Sequence, residues 1–569
     1  MESHSVMEDA FSLGLDFGTN SVRCVIVRTA DGAEAGQGIG RYKQGEQGIL
    51  LDLRDPDLAR QHPSDYLESL IDSVHQALEN SWDYPGFSPE KIIGIGIDAT
   101  GSTPLPLDRH TVPLAFQDRF KENFNAMAWL WKDHTSHNEA LEITRRAWEL
   151  IPNRIRDNGG VYSPEWFLAK VFHCLHEDPE VFQAAAGWAE ISDWIPGVLT
   201  GVNRIENLKR NLCAAGHKAL FDPAQNGFPP QDFFDSLDER LLAHGSFLYS
   251  EAHPVDRLAG YLTEEWAQKL KLPAGVPVAM GALDGHTGAI GAGVSPGVVG
   301  NIFGTSSVLM TVLPGEQAKP EIPGICGVVY SSILPGFWGI EAGQAATGDL
   351  FRWWVDDVLN SPDSSQAHFE LSKQSERLRP GESGLLALDW NHGNRCLLVD
   401  PRLSGLILGQ SLKTTAAEIY RALVEATAFG ARMILDRFRE HGVHCNQVIN
   451  AGGIPSKNPF LMQVYADITG CSQRLVKSTQ TSALGAAICG AVAAGSHRGG
   501  YDTIPQAQQA MCSQSEISYV PCKQNSEIYD RLFLHYRNLH DAFGVAGSKV
   551  DLFPVMKDLL EIRDSIRKG

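Results

Sequence analysis

Leu13-Gly-Leu-Asp-Phe-Gly-Thr-Asn-Ser-Val-Arg-Cys-Val-Ile-Val27 reads as an apolar strand, a tight Gly-Thr turn and a second apolar strand. The pattern returns further along. Asp16-Phe17-Gly18-Thr19-Asn20-Ser21-Val22 matches Ile302-Phe303-Gly304-Thr305-Ser306-Ser307-Val308 in Phe-Gly-Thr and then Ser-Val, at an interval of 286 residues. A hairpin turn built from glycine and small hydroxyl residues presents several N–H and O–H donors at one point, which suits an anion such as a phosphate. Two such hairpins, one per half, form the two walls of a polyphosphate site. They differ where chemistry would differ, with Asp16 in the first and Ile302 in the second.

Working outward, 569 residues exceed one core, and the repeat interval is about half the chain, so two related halves are expected. With 48 basic and 68 acidic residues the net charge is −20, which argues against sequence-independent binding of nucleic acid or anionic membrane. The acidic stretch Met1 to Asp9 lacks the pattern of a secretory leader, and the longest small-apolar run, Ala483 to Gly495, falls short of a membrane span. Ten cysteines without a Cys-x-x-Cys pair, several in apolar runs, read as free thiols of a reducing cytoplasm rather than disulfides or structural zinc.

Along the chain, Pro63 to Asn80 has helical spacing with Ser64 as its expected cap, and Ile92-Ile-Gly-Ile-Gly-Ile-Asp98 is an apolar strand ending in the turn Ala99-Thr-Gly-Ser-Thr103. Open α/β sheets place ligands at such carboxyl ends. Ala126 to His134 combines a strand-like run with a polar end, and Phe221 to Pro254 reads as a loop-rich peripheral insertion. Gly275 to Gly281, a buried strand, delivers Leu283-Asp284-Gly285 to a small-residue helix at the joint between halves. A strand ends at Glu341, followed by Ala-Gly-Gln-Ala-Ala-Thr-Gly348. Helices are expected at Thr414 to Glu440, Pro459 to Thr469 and Ser482 to Ala494, with an amphipathic helix from Glu527.

The order of these motifs resembles the FGGY family of carbohydrate kinases. The resemblance rests on the hairpin at Asp16 to Arg23, Leu283-Asp284-Gly285, Gly304-Thr305-Ser306, the Gly-Gly-x-x-x-x-Asn-Pro loop at Gly452 to Pro459, Ala466-Asp-Ile-Thr-Gly470 and Ala483-Leu-Gly-Ala486. It covers roughly residues 11 to 495. Asp98 to Thr103, Trp131-Lys-Asp-His134 and Leu208 to Lys218 are most similar to the branch acting on L-ribulose. Pro164 to Lys170 departs from the Lys-Leu-x-Trp pattern of the xylulose and glycerol branches.

The resemblance implies an α/β fold of two actin-like (ribonuclease H-like) ATPase domains around a central cleft. Residues 1–290 would carry the sugar site and first phosphate hairpin, and 291–569 the nucleotide site and a helical tail. It implies ATP-dependent phosphorylation of the terminal hydroxyl of L-ribulose to L-ribulose 5-phosphate, a step of arabinose catabolism, with Mg²⁺ as cofactor. Another ketopentose or polyol (D-ribulose, xylulose, ribitol, glycerol) is the alternative substrate, and an actin-like ATPase or chaperone a more distant reading. Oligomeric state, a homodimer included, is left open.

The residues alone leave Asp284 as either a helix cap or a proton acceptor, and the resemblance assigns the general base. Asp16 is the expected metal-facing carboxylate. Thr19, Asn20, Ser21 and Arg23 on one wall, with Gly304, Thr305 and Ser306 on the other, would donate to phosphates. Gly348, Gly452, Gly453 and Asn458 would line the adenosine pocket. The sugar candidates are Ala99, Thr100, Asp284, Lys209, Glu341, Trp131 and Asp133; Trp131 reads equally as core, and Lys209 as a solvated surface lysine.

Overall fold

The computed structural model describes residues 9–244 and 247–568. The acidic stretch 1–8, on which the reading of the leader rests, and residues 245–246 of the 221–254 insertion lie outside them.

The first sheet has seven strands. The opening hairpin supplies β1 (Phe11–Phe17) and β2 (Ser21–Arg28), followed by β3 (Glu34–Arg41). After helix α1 (Pro63–Ser81) come β4 (Ile92–Ala99), β5 (Leu258–Tyr261), β6 (Pro277–Ala279) and the short β7 (Ala282–Leu283). Their spatial order is β5-β6-β4-β1-β2-β3, with β7 alongside β4. The β1-β2-β3 meander is antiparallel, whereas β1, β4 and β6 run parallel. Both faces are covered, which is why β1 and β4 are apolar almost throughout rather than alternating.

On one face Gly36, Gly38 and Gly40 of β3 let α1 approach. A Cβ at Gly38 or Gly40 would lie 1.9 or 2.0 Å from the Ser73 or Ser69 carbonyl oxygen. The two-residue repeat of the strand thus meets the four-residue repeat of the helix. The helix begins at Pro63, with the His62 ring accepting from the Ser64 N–H. The expected cap, Ser64, therefore sits two positions beyond the actual cap His62, because proline suits the first helical position.

Helix α2 (Asp284–Gly291) leads into the second sheet, whose strands are β8 (Gly297–Phe303), β9 (Ser307–Pro314), β10 (Gly327–Tyr330) and β11 (Phe337–Gln344). Beyond helix α3 (Ala416–Glu440) come β12 (Cys445–Ala451), β13 (Ser472–Val476), helix α4 (Thr481–Ala494) and β14 (Gln514–Tyr519). The order β10-β11-β9-β8-β12-β13-β14 repeats the first sheet's plan, with an antiparallel meander β11-β9-β8 joined to a parallel run β8-β12-β13. Helix α3 starts on a capping box of Thr415 and Glu418, and its buried side contributes Leu423, Phe429 and Ile434 to the second core.

Helix α4 crosses between the halves. It follows β13 in sequence but packs on the first sheet, on the face opposite α1. A Cβ at Gly14 or Gly96 would fall 1.8 or 1.7 Å from the carbonyl oxygen of Ala483 or Ala486. Gly94 meets Gly490 in the same way, so α4 runs antiparallel to β4 and its amino end lies towards Asp98.

The run from Ala126 to His134 forms only a two-residue strand, Ala128–Trp129. The 221–254 segment is more ordered than its composition suggests. It contains the helices Gln231–Leu237 and Arg240–His244, and Phe233, Phe234 and Phe247 join Trp129 and Trp188 in one core. Among the described residues, no helix is long and apolar enough to cross a membrane.

Candidate functional site

Three carboxylates converge where the carboxyl ends of the first sheet meet α2. Asp16 and Asp98 are partnered positions on the parallel strands β1 and β4, so they point to the same side. Asp284 opens α2 directly after β7, which pairs with the end of β4. Its carboxylate accepts from the Gly285 N–H at 2.7 Å, and the Ser482 hydroxyl of α4 donates to its carbonyl at 3.0 Å. Arg23, across the hairpin from Asp16, brings a guanidinium nitrogen 3.6 Å from that carboxylate.

Burial favours the neutral forms of all three acids, and repulsion from their neighbours adds to it at Asp98 and Asp284. Burial raises the Asp16 carboxyl against the opposing pull of Arg23. Burial, Asp16 and Asp284 raise Asp98 well above the ordinary carboxylate range. Asp284 is pushed up to about 7 by burial and by Asp16. Neither carboxylate oxygen of fully buried Asp98 has a hydrogen-bond partner of normal geometry among the described residues. Asp98 was not among the expected site residues, although an acid ending an Ile-Gly-Ile-Gly-Ile strand is a legible signal.

The first hairpin turn is tied to the loop that carries Trp131, whose indole N–H donates to the Thr19 hydroxyl at 3.1 Å. Asn20 donates to the Gln47 carbonyl, and Ser21 is buried at the start of β2. On the second wall, Gly304 and Thr305 are exposed at the turn between β8 and β9. Their carbonyls accept from the N–H groups of Gly348, Thr347 and Asp349, which clasps the segment after β11 to the turn. Ser306 closes the turn by accepting from the Gly304 N–H.

Gly348 and Gly452 lie against this turn. A Cβ would fall 2.5 Å from the Gly304 oxygen at Gly348, and 2.1 Å from the Phe303 oxygen at Gly452, whose φ of +118° also demands glycine. Gly453 is exposed with open space around it. Asn458 caps the helix Pro459–Thr469 through the Leu461 N–H and donates to Ser372, so its amide is already engaged.

Ala99 and Thr100 stand at the end of β4, in a loop held from beneath. Buried Lys170 donates to the carbonyls of Ser102 and Leu130 at 2.8 Å and of Trp129 at 3.3 Å. Glu190 accepts from the Thr103 N–H at 2.6 Å and from the Ser102 hydroxyl. Burial is the leading cause that lowers Lys170 to about 7 and raises Glu190 to about 7. Asp133 faces inward. It accepts from the Ala59 N–H and the Thr135 hydroxyl and pairs with Arg60, which stacks on Trp129.

Lys209 is exposed and donates to the Leu258 carbonyl. The lysine that meets Glu341 is Lys218, nine residues on, at 2.9 Å. Glu341 ends up between the halves, on β11 of the second, facing Lys218, His217 and His286 of the first. Burial alone would raise its pKa; Lys218 overcomes that, and the carboxyl is held down at about 2. Burial likewise takes His217 to about 4 and His286 to about 3, so both imidazoles are neutral at pH 7. Lys218 and both histidines were missed because Lys209 looked equally eligible. The distinguishing signal is the small, apolar run Leu212-Cys-Ala-Ala-Gly ahead of His217-Lys218, which marks a buried helix.

The chain was compared with known proteins. Residues 11–291 match the N-terminal domain and residues 299–494 the C-terminal domain of the FGGY family of carbohydrate kinases. The ribulokinase of Shouchella clausii is 39% identical over 98% of this chain and 99% of its own length, and that of Mycolicibacterium smegmatis is 38% identical over 98% of each. Among solved structures, a xylulose kinase from Rhodospirillum rubrum superposes with a TM-score of 0.75 at 22% identity, covering 94% of this chain and 98% of its own. That likeness speaks for the fold, two actin-like domains. Two repeated sheets, each with a Gly-Thr turn in its hairpin, and the matched domain models together make the chain a member of the FGGY family of carbohydrate kinases, an enzyme that transfers phosphate from ATP to a sugar.

Proposed function

We propose that this kinase phosphorylates the terminal hydroxyl of L-ribulose, giving L-ribulose 5-phosphate and ADP. The observation that carries the site assignment is Asp284, an acid poised at about 7, lying between the Asp16–Asp98 pair and the Lys218–Glu341 pair. The likeness to ribulokinases at 38–39% identity over nearly the full chain supports the choice of sugar.

In this reading Asp284 takes the proton of the attacking hydroxyl as its oxygen bonds to the γ-phosphorus and the bond to the β-phosphate bridging oxygen breaks. A carboxylate titrating near 7 is a competent acceptor at neutral pH. Ala99, Thr100, Lys218 and Glu341 present donors and acceptors to the sugar hydroxyls, and Trp131 offers an aromatic wall beside the first turn. Thr19, Asn20, Ser21 and Arg23 address the phosphates from one side, and Gly304, Thr305 and Ser306 from the other. Gly348, Gly452 and Gly453 admit the nucleotide close to the backbone. Residues 1–290 and 291–569 form the two lobes.

Mg²⁺ fits the acid cluster, because Asp16 and Asp98 offer carboxylate oxygens, those of Asp98 without a partner among the described residues, that a hard cation would hold in their ionised form. Bound there, the ion neutralises charge on the β- and γ-phosphate oxygens. An ADP-release assay over L-ribulose, D-ribulose, D-xylulose, ribitol and glycerol tests the proposal. A kcat/KM for L-ribulose below that for any other member of the panel would overturn it.

A further inference from the structure

The group around Glu341 has more hydrogen-bond acceptors than protons. Ser332 has one hydroxyl proton and gives it to the Val329 carbonyl at 3.0 Å. The Ser332 oxygen also stands 3.0 Å from His217 Nε2; in the tautomer that donates there, Nε2 carries the hydrogen and Nδ1 is bare. That bare nitrogen faces two oxygens that cannot donate to it, the Cys326 carbonyl at 3.3 Å and Glu341 Oε2 at 3.6 Å. His286 Nε2 lies 3.7 Å from the same Oε2. Neither ring nitrogen of His286, nor Glu341 Oε2, has a hydrogen-bond partner among the described residues, and His286 is only 1% exposed.

When no sugar hydroxyl is present, a cation satisfies the cluster. The spacing suits one: two ligands about 2.0–2.1 Å from a common tetrahedral Zn²⁺ stand about 3.4 Å apart. The contacts of 3.6 and 3.7 Å are too long for strong hydrogen bonds and need only a small inward shift to reach that value. One ligand atom from each of His217, His286 and Glu341 lies within 4.8 Å of the other two. The supporting contacts also match metal sites, with His217 donating its other N–H to Ser332 and Glu341 held through Oε1 by Lys218.

We propose that His217, His286 and Glu341 form a binding site for Zn²⁺ or a similar borderline first-row ion that bridges the two halves. With two imidazoles and one carboxylate from the protein, the fourth position stays open. The Lys218 ammonium beside the same carboxylate keeps the site weak, so it is a site for inhibition by excess metal rather than a permanently loaded one. Inhibition follows because Glu341 is also assigned to the sugar, a step that rests on the proposed function; binding of the ion does not.

Equilibrium dialysis of the full chain against buffered Zn²⁺, without sugar or nucleotide, should find one saturable site of modest affinity per chain. Co²⁺ in its place should give the intense visible bands of four-coordinate cobalt. His217→Gln and His286→Gln should each weaken binding at least tenfold, while Lys218→Met should tighten it, an effect that a merely structural lysine would not produce. Circular dichroism and ATP binding report whether each variant is folded. Metal stoichiometry and affinity unchanged in both histidine variants, or no site in the wild type, overturns the proposal. L-Ribulose should displace the metal. Binding that is lost in the histidine variants but indifferent to L-ribulose keeps the metal site and removes Glu341 from the sugar site instead.

Discussion

Replacing Lys218 with methionine removes the cation that does most to offset the burial of Glu341, while keeping most of the side-chain volume. The cost can be worked from the carboxyl itself, which is held at about 2 against an ordinary value of 4.5. At 1.36 kcal/mol per pKa unit this corresponds to about 3 kcal/mol, of the same order as the 3–5 kcal/mol typical for breaking a buried pair from one side. The pKa is lowered in the folded state, so this stability is fully present above pH 4.5 and is lost as pH falls through about 2. At pH 7.5 the Lys218→Met chain should therefore melt about 2–5 °C below the wild type, because an unfolding entropy of about 2.1 cal/mol/K per residue spreads the loss over 569 residues or one half of them. Calorimetry without ligands provides the measurement. Adding Glu341→Leu removes the orphaned charge and should restore most of the loss. A Lys218→Met shift under about 1 °C, or a double variant no more stable than the single one, would refute the argument that Lys218 is what makes burial of Glu341 tolerable.

Asp284→Asn should lower turnover by about 10²–10⁴-fold with ATP affinity retained, read by single-turnover phosphoryl transfer and nucleotide titration. Because this base works deprotonated and its carboxyl is raised to about 7, kcat/KM should climb between pH 6 and 8; a profile flat over that range would exclude Asp284 as the base. Lys209→Ala, at an exposed position, should leave sugar KM within about twofold, whereas Lys218→Met should raise it by more than about tenfold. Gly485→Ala places a Cβ 1.8 Å from the Thr287 carbonyl oxygen, where α4 meets α2, and should destabilise the chain by about 1–3 kcal/mol in thermal unfolding.

Much of the fold was legible because its signals are local. The apolar runs of β1, β4 and β8 and the doubled hairpin turn needed no partner to be recognised. Asp16, Asp284 and Glu341 were legible for a related reason, as polar residues following apolar strands. Long-range pairing was not legible. Asp133 looks like a free acid in Trp131-Lys-Asp-His134, yet Arg60, more than seventy residues earlier, takes its charge. Lys209 and Lys218 share one polar stretch, and only the burial of the helix Leu212–Lys218 separates them. His286 sits in a run of small residues with nothing to mark the carboxylate, fifty-five positions away, that it faces.

The seam made by Gly14, Gly94 and Gly96 with helix α4 bears on how the chain is made. The first sheet is complete in strands once residue 283 has been synthesised, but the helix that covers one of its faces does not begin until Thr481. At ordinary translation rates of about 5–20 residues per second, that face waits on the order of 10–40 s for its cover. The first half therefore leaves the ribosome as an unfinished sandwich, a natural client for a holding chaperone. A chain ended at residue 480 should collect in the insoluble fraction even though both sheets have most of their strands; its recovery as a soluble, cooperatively melting protein would contradict this.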